Sequence, residues 1–436
     1  MQNRLRFLLP VVLENMTTVA TTLIYSAITG AVSKSSLAAV GVGNQAMSLV
    51  SAFFAIVTSG CAVITAADVG RRDLMSASRT VEHTISVSLI SSVVVSALLL
   101  LVSGFTMKLL MPGAEEQFLA EGTLYYRTLL FGVPPMVIYI AMNAVLRAKG
   151  DSRDALIATI VSNAVQLFLV YVFVSRRGMG VKGVALATVS CRCCAALTAL
   201  IAVLRSREGF FVRVSRVFKF DKTVLRRVLR VGTPVSLSSI AVHIGYTAIN
   251  SLLVNLGTLE AGVANVLNAI QQFTCICQVI TSYSATTIVG QECGAGNREG
   301  ARRSTLTILW VSLAITTALC LPVVCFPSFS AGLFSADSET IAAAAAFLWV
   351  VIPYSTLGQA INVLEPAVQA SGDTRYSMMV TIIGVWAIRL PLSLLFCMVL
   401  GWGVKGVYAA NIASFVMRAA ALYIRTIGPR FAVKRI

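Results

Sequence analysis

Twelve stretches of this chain, each about 20 residues or longer and built mainly from aliphatic and small side chains, leave it few folds to choose from. They fall at about residues 7–30, 40–67, 82–107, 122–146, 155–175 and 181–204, and again at about 228–256, 262–290, 304–330, 342–369, 376–399 and 404–425. A helix of roughly 20 residues crosses the hydrocarbon core of a bilayer, and in lipid only helices and closed barrels satisfy every backbone amide. Barrel strands would come in segments of about ten residues that alternate with period two. These runs do not, so they predict helices. With 57% apolar and 12% charged residues among 436, and a mean hydropathy of +0.83, the chain is no soluble globule.

Charge then orients it. Lys and Arg outnumber Asp and Glu 35 to 18, a net +17 that in a soluble protein would point to nucleic acid. With the N-terminus placed inside, 25 cations fall in cytoplasmic segments, from Arg4 and Arg6 through Arg147 to Lys434 and Arg435; 6 fall outside and 4 within spans. That bias predicts a multi-pass protein of the cell membrane with both termini cytoplasmic and no nucleic-acid partner. Met1 to Pro10 has the basic start of a signal peptide. No small-residue cleavage site follows and Glu14 interrupts the apolar run, so an uncleaved first helix is expected.

The two halves of the chain resemble each other. Leu146-Arg-Ala-Lys-Gly-Asp-Ser-Arg153 aligns with Val368-Gln-Ala-Ser-Gly-Asp-Thr-Arg375 at an offset of 222, and Gly180-Val-Lys-Gly183 with Gly403-Val-Lys-Gly406 at 223. Pro10 aligns with Pro234, Asn44 with Asn268, and Gly70-Arg-Arg-Asp73 with Gly294-Ala-Gly-Asn297, all at 224. An offset this constant marks an internal duplication. Six spans, an even number, separate the copies, so both insert with the same orientation. The predicted fold is therefore an all-α polytopic membrane protein: twelve helices in two parallel six-helix bundles, related by a pseudo-two-fold axis along the membrane normal. Residues 1–204 form the N-terminal lobe, 205–227 a basic cytoplasmic linker and 228–436 the C-terminal lobe. The linker's cations either bind anionic lipid or simply set topology.

The proline near the start of each half, Leu37-Ala-Ala-Val40 before the second span, the glycine-rich turn after it, Gly-Asp-(Ser/Thr)-Arg after the fourth span and Gly-x-x-Gly before the sixth together resemble the multidrug and toxic compound extrusion (MATE) family. The likeness runs through both lobes. It implies a twelve-helix exporter that moves organic cations or similar amphiphiles outward in exchange for H+ or Na+, a monomer with a small-molecule substrate, lipid around it and no further cofactor. Many members carry acids where this chain has Tyr25, Val170 and Val242, the last beside His243. The usual coupling acids of the family therefore do not carry over.

Ionisable groups inside spans are costly, about 2.5–3.5 kcal/mol each on insertion scales, and call for a reason. Glu14 and Glu365 are the two deepest acids and the candidates for coupling, with His243 a third. The alternative for each acid is a structural pair with Arg389, Arg127 or another buried arginine. From Glu14, the residues Thr17, Thr18, Thr21, Thr22 and Tyr25 follow along one helical face. In the repeat-related span Ser239, His243, Tyr246 and Asn250 do nearly the same. Asn44, Ser48 and Ser51 in the second span and Asn265, Asn268, Gln272 and Cys275 in the eighth add further stripes. They read either as walls of one substrate cavity or as hydrogen-bonded helix interfaces. Arg389 is a candidate for binding an anionic substrate or an internal carboxylate, and His83 beside Glu82 is expected at the interface. Pro134-Pro135, Pro353, Pro366 and Pro391 are expected to kink their spans.

The ten cysteines lack metal-ligand spacing, and Gly-x-x-x-x-Gly-Lys-(Ser/Thr) is missing, so neither a zinc site nor a nucleotide-hydrolysing phosphate loop is expected. A lipid-linked saccharide flippase would want a strongly basic cavity, for which only Arg127, Arg192, Arg389 and Arg418 lie within spans. A membrane-embedded enzyme would need convergent His, Asp or Glu clusters that two histidines and two deep acids hardly supply. A non-transporting scaffold or receptor is the remaining alternative.

Overall fold

The computed structural model describes residues 10, 13–22, 24–25, 28, 34–111, 116–149, 152–205, 222–254, 258–334, 337–429 and 431–432, and among these the chain is almost wholly helical with no strand. The helices are α1 (13–22), α2 (Lys34–Gly70), α3 (Leu74–Leu110), α4 (Glu116–Phe131), α5 (Val133–Lys149), α6 (Ser152–Val170) and α7 (Gly180–Arg205). After them come α8 (Lys222–Val254), α9 (Thr258–Ser284), α10 (Arg298–Cys325), α11 (Ser338–Phe347), α12 (Val351–Ala370), α13 (Thr374–Ile382) and α14 (Gly403–Ile427). Short π-helical stretches extend α6 (Tyr171–Arg176), α9 (Ala285–Val289) and α13 (Ile383–Arg389, and Leu395–Val399 after one intervening α turn). The basic stretch between α7 and α8 lies outside the described residues over 206–221.

Among the described residues nine helices are long and apolar enough to cross a membrane, ten when the pair around α4 and α5, bent by 51°, is taken as one broken span. Pro134 and Pro135 open α5 at that bend, where they have no amide hydrogen to give the preceding turn. Pro366, by contrast, lies inside α12. With α1, described in part, and α9, whose Asn265, Asn268, Gln271 and Gln272 dilute its hydropathy, the helices occupy the places of the twelve apolar stretches.

The chain divides into two compact units, Met1–Ser236 and Leu237–Ile436. In the first, α2 lies against α3, α4 and α5, and α7 against α5 and α6. Its core has two layers. One gathers Phe54, Met107, Tyr125, Leu129 and Val184; the other, nearer the α2–α3 turn, gathers Ala77, Val81, Met142, Leu146, Ala155 and Ala199. The second unit repeats the plan, with α12 against α9, α10 and α14. One of its layers centres on Leu267, Leu348, Val351 and Tyr408, the other on Leu309, Leu364, Val368 and Leu422. Large apolar side chains such as Leu101, Phe105, Trp310 and Phe326 stay exposed on the outer faces, where lipid is their solvent.

The duplication is visible in the turns. Arg72 has φ +60° and its counterpart Gly296 φ +75°, and each is followed by a capping side chain: Asp73 accepts from Ser76 N at 3.0 Å and Asn297 from Gly300 N at 2.9 Å. Glycine takes that left-handed conformation freely, whereas arginine holds it at a cost of about 1 kcal/mol. Before α7 and α14 the pairs Gly178 and Gly180, and Gly401 and Gly403, all have φ between +53° and +64°.

Many serines and threonines inside the spans spend their hydroxyls on carbonyls one turn back, as Thr80, Thr84 and Ser86 do in α3, or on a neighbouring helix, as Ser96 does on Leu130 O. Glu82 and His83 are both buried in α3, at 3% and 9% exposure. The helix continues past the boundary that the hydropathy pattern sets, and α5 is among its packing partners.

Candidate functional site

Glu14 sits in α1 at 5% exposure, and its partner is an arginine that the charge count assigns to a cytoplasmic loop. Arg147, in the last turn of α5, pairs with Glu14 Oε1. Because α5 runs to Lys149, the arginine is helical and only 8% exposed rather than solvated. Thr159 of α6 donates to the same oxygen at 3.0 Å, and Tyr139 meets Thr159 at 2.8 Å. Glu14 Oε2 has no hydrogen-bond partner among the described residues.

Glu365, in α12, is the mirror case. Arg418 of α14 bonds to its Oε2 at 2.8 Å, while Thr381 at 3.0 Å, Ser377 at 3.3 Å and Gln369 at 3.4 Å all donate to Oε1. Both oxygens are engaged. Arg418 also reaches Thr381 Oγ1 at 3.1 Å, and its stem lies over Gly384, where an added Cβ would stand 2.6 Å from its Cγ and Cδ.

The two sites are the same place in the repeat. At the offset of 222, Thr159 aligns with Thr381, Arg147 with Gln369 and Asn143 with Glu365. Each unit thus holds one carboxylate beside an equivalent threonine, buried for Glu14 and half-buried for Glu365, neutralised by one guanidinium. Of the two readings open for these acids, the structure gives both a pair, though with neither Arg389 nor Arg127.

The remaining candidates divide by exposure. On α1 the residues at zero, seven and eleven positions from Glu14 point inward, so Thr21 (6% exposed) and Tyr25 (9%) are buried while Thr18 and Thr22, on the flank, are exposed. Tyr25 meets the Tyr125 hydroxyl at 3.2 Å, and Tyr125 donates to the Asn44 side chain at 3.0 Å. Asn44 is itself exposed, and Ser48 bonds back to Gln45 O at 2.7 Å. In the second unit Tyr246, Asn265, Asn268 and Gln272 are exposed and Ser239 and His243 half-buried; the His243 ring makes no hydrogen bond among the described residues. The side chains of Asn250 and Cys275 lie outside the described residues. Exposed amides and hydroxyls on membrane-spanning helices need water, protein or a ligand over them, since lipid leaves them unsatisfied.

The intramembrane arginines meet different fates. Arg127 Nε donates to Ser103 Oγ at 2.7 Å, Arg192 reaches Leu129 O at 3.5 Å and Arg418 serves Glu365. Arg389 lies over the Tyr246 ring, 4.0 Å from its centroid. Its neighbours Tyr354 and Tyr408 belong to an aromatic chain that runs to Phe415 and Phe347, and Gln271 donates to the Tyr408 hydroxyl at 3.0 Å. Sequence spacing hides Arg147, Thr159, Thr381 and Tyr354 as site residues. For the two threonines the repeat offset is a usable signal.

Comparison with known proteins places this arrangement. The MatE family profile matches residues 10–172 and again 234–395, one copy in each half. An uncharacterized transporter, YisQ, of Bacillus subtilis is 23% identical over 398 residues, covering 90% of this chain and 87% of that protein. A probable multidrug resistance protein, NorM, of Thermotoga maritima is also 23% identical, covering 95% and 89%. A multidrug resistance MATE transporter of the MOP superfamily, solved in an outward-facing conformation, superposes with a TM-score of 0.90 at 21% identity over 98% of this chain and 94% of that one. The two matching halves, the membrane helices and the twelve-helix two-repeat architecture lead to one conclusion: the chain belongs to the MatE family of multidrug efflux transporters and is a multi-pass membrane transporter, not an enzyme.

Proposed function

We propose that this chain exports amphiphilic organic compounds, cationic ones among them, by alternating access in exchange for H+ or Na+. It works as a monomer in the cell membrane, surrounded by lipid, with both termini cytoplasmic. One observation carries the reading: two carboxylates within membrane spans, the buried Glu14 and the half-buried Glu365, are each neutralised by an arginine beside a repeat-equivalent threonine. A carboxylate in such a place has to be compensated. While its arginine is close, the guanidinium does this. When a helix shift draws the arginine away, a proton or Na+ takes over, and the conformation becomes answerable to the ion gradient. Glu14 Oε2, without a partner among the described residues, is an open position for that ion. Each unit offers exposed polar side chains of its own to a substrate's head group, Thr18 and Asn44 in the first and Tyr246, Asn268 and Gln272 in the second.

The test is dye efflux in a pump-deficient host, repeated with a protonophore and in sodium-free medium; one of the two treatments is expected to abolish it. Glu14→Gln and Glu365→Gln, each combined with substitution of its arginine by Met to avoid an unpaired cation, are expected to move dye down its gradient only. Gradient-driven efflux at the wild-type rate in both would remove these acids from coupling.

A further inference from the structure

Arg389 is a cation in search of a counter-charge. It is 2% exposed within the eleventh span, no carboxylate lies within ion-pair distance of it among the described residues, and its Nε has no hydrogen-bond partner. The other buried guanidiniums near carboxylates, Arg147 and Arg418, are paired. Burying a guanidinium this way without compensation is strongly unfavourable.

Its placement is specific. Arg389 ends the π-helical stretch Ile383–Arg389, two residues before Pro391. A π turn inserts one extra residue and re-aims the side chains after it, a device found mostly at functional sites. Here it turns the guanidinium inward against phenols: Tyr246 from α8 beneath its face, with Tyr354 from α12 and Tyr408 from α14 within its electrostatic reach. Gln271 of α9 holds the Tyr408 hydroxyl. The inventory is a planar cation, three hydroxyl donors and an amide. A second guanidinium, Arg418, also acts on Tyr246 and is already engaged by Glu365. Tyr246, whose ring lies against Arg389, is itself 36% exposed, so the aromatic side of this cluster reaches the surface.

We propose that Arg389, with Tyr246 and Tyr354, binds the carboxylate of a transported amphiphile. This rests on the exporter reading and narrows its substrate class. A single unpaired guanidinium matches a monoanion, and its planar fork matches a carboxylate in two parallel hydrogen bonds. Stacking on Tyr246 keeps the fork in one plane while the site is empty of ligand.

The experiment uses the full chain in phosphatidylcholine nanodiscs and two probes with one fluorophore, a rhodamine bearing a free carboxylate and its methyl ester. Equilibrium binding is read by fluorescence anisotropy. Wild type is expected to bind the acid about tenfold more tightly than the ester, the size of one charge-assisted hydrogen bond retained over its loss. Arg389→Gln is expected to abolish that preference, and Arg389→Lys, which keeps charge but not the fork, to retain only part of it. Equal affinities in wild type, or an undiminished preference in Arg389→Gln, overturn the proposal. Should Arg389→Gln fail to fold, Arg389→Lys and Tyr246→Leu decide, and the full wild-type preference in both overturns it as well. Binding needs no ion gradient. Gradient-driven efflux of the ester without an acid preference therefore tells against this site alone, whereas an acid preference without efflux of either dye tells against the exporter reading.

Discussion

In the first unit the arginine of the buried pair stands on α5 and its carboxylate comes from α1; in the second the carboxylate stands on α12 and its arginine comes from α14. The two helices that supply the repeat-equivalent frame, α5 and α12, thus contribute opposite charges. What the duplication preserves is neutrality beside a threonine, with Thr159 and Thr381 each donating to the carboxylate at 3.0 Å. The partners reflect that reversal. Arg418 aligns with Ala195 at the offset of 223, and Glu14 with Ser238 at 224, so neither unit keeps the other's external partner. The degree of satisfaction also differs. Among the described residues Glu365 has four donors spread over both oxygens, whereas Glu14 has two, both on Oε1.

That difference predicts unequal fragility. Arg147→Met leaves Glu14 buried with one donor, and a loss of about 3–5 kcal/mol is expected, the usual result of stripping a buried charge of its partner. Arg418→Met leaves Glu365 with three donors and a side chain 15% exposed, so the loss should be smaller, about 2 kcal/mol. Apparent melting temperatures in detergent read both. If Arg418→Met proves the more damaging, the donor inventory is not what sets these sites apart. The combination Glu14→Gln with Arg147→Met is expected to recover most of the first loss, because the uncompensated charge is gone.

A smaller effect is expected from Gly384→Ala. The added methyl would press on the Arg418 stem, a flexible side chain that can give, costing about 1.5 kcal/mol by overpacking. In the first unit the position equivalent to Gly384 at offset 222 is Ser162, and there an alanine meets no arginine stem; Ser162→Ala should cost about 1 kcal/mol through its hydroxyl alone. Equal losses at the two positions would show that the space over Gly384 does not serve the pair.

Much of this was open to reading before the fold was known. Apolar stretches of bilayer length, an even number of them between copies and a constant offset dictate a two-lobed helical membrane protein, because the hydrocarbon core and backbone satisfaction leave little else. The two acids stood out for the same reason. Their partners did not. Arg147 lies two residues before Lys149 at the edge of an apolar run and so counts as a loop cation until α5 is seen to run through it. Arg418 is visible within a span, but its 53-residue separation from Glu365 carries no signal of contact. Helical spacing likewise places Thr18, Thr21 and Tyr25 on one stripe, yet only packing against Tyr125 decides that Tyr25 is turned inward while Thr18 is left exposed. Periodicity reports which residues share a face. It does not report what covers that face.

The smallest expected change comes from moving the cation of the second unit to where the first unit keeps it. Gln369 aligns with Arg147 and already donates to Glu365 from one helical turn away. An arginine there follows Glu365 by four residues on α12, a spacing at which opposite charges meet. In the Arg418→Met background, Gln369→Arg should therefore restore the counter-charge and bring the variant to within about 1 kcal/mol of wild type in the same melting assay. If neutrality beside the threonine is what both units keep, the source helix of the guanidinium matters little to stability. It should matter to transport, because an arginine on the same helix as its carboxylate moves with it and cannot be drawn away when helices shift. A variant that is stable and binds dye, yet no longer drives it against a gradient, would separate the structural need for the pair from its use in coupling. Full gradient-driven efflux in that variant would mean that the pair never has to open.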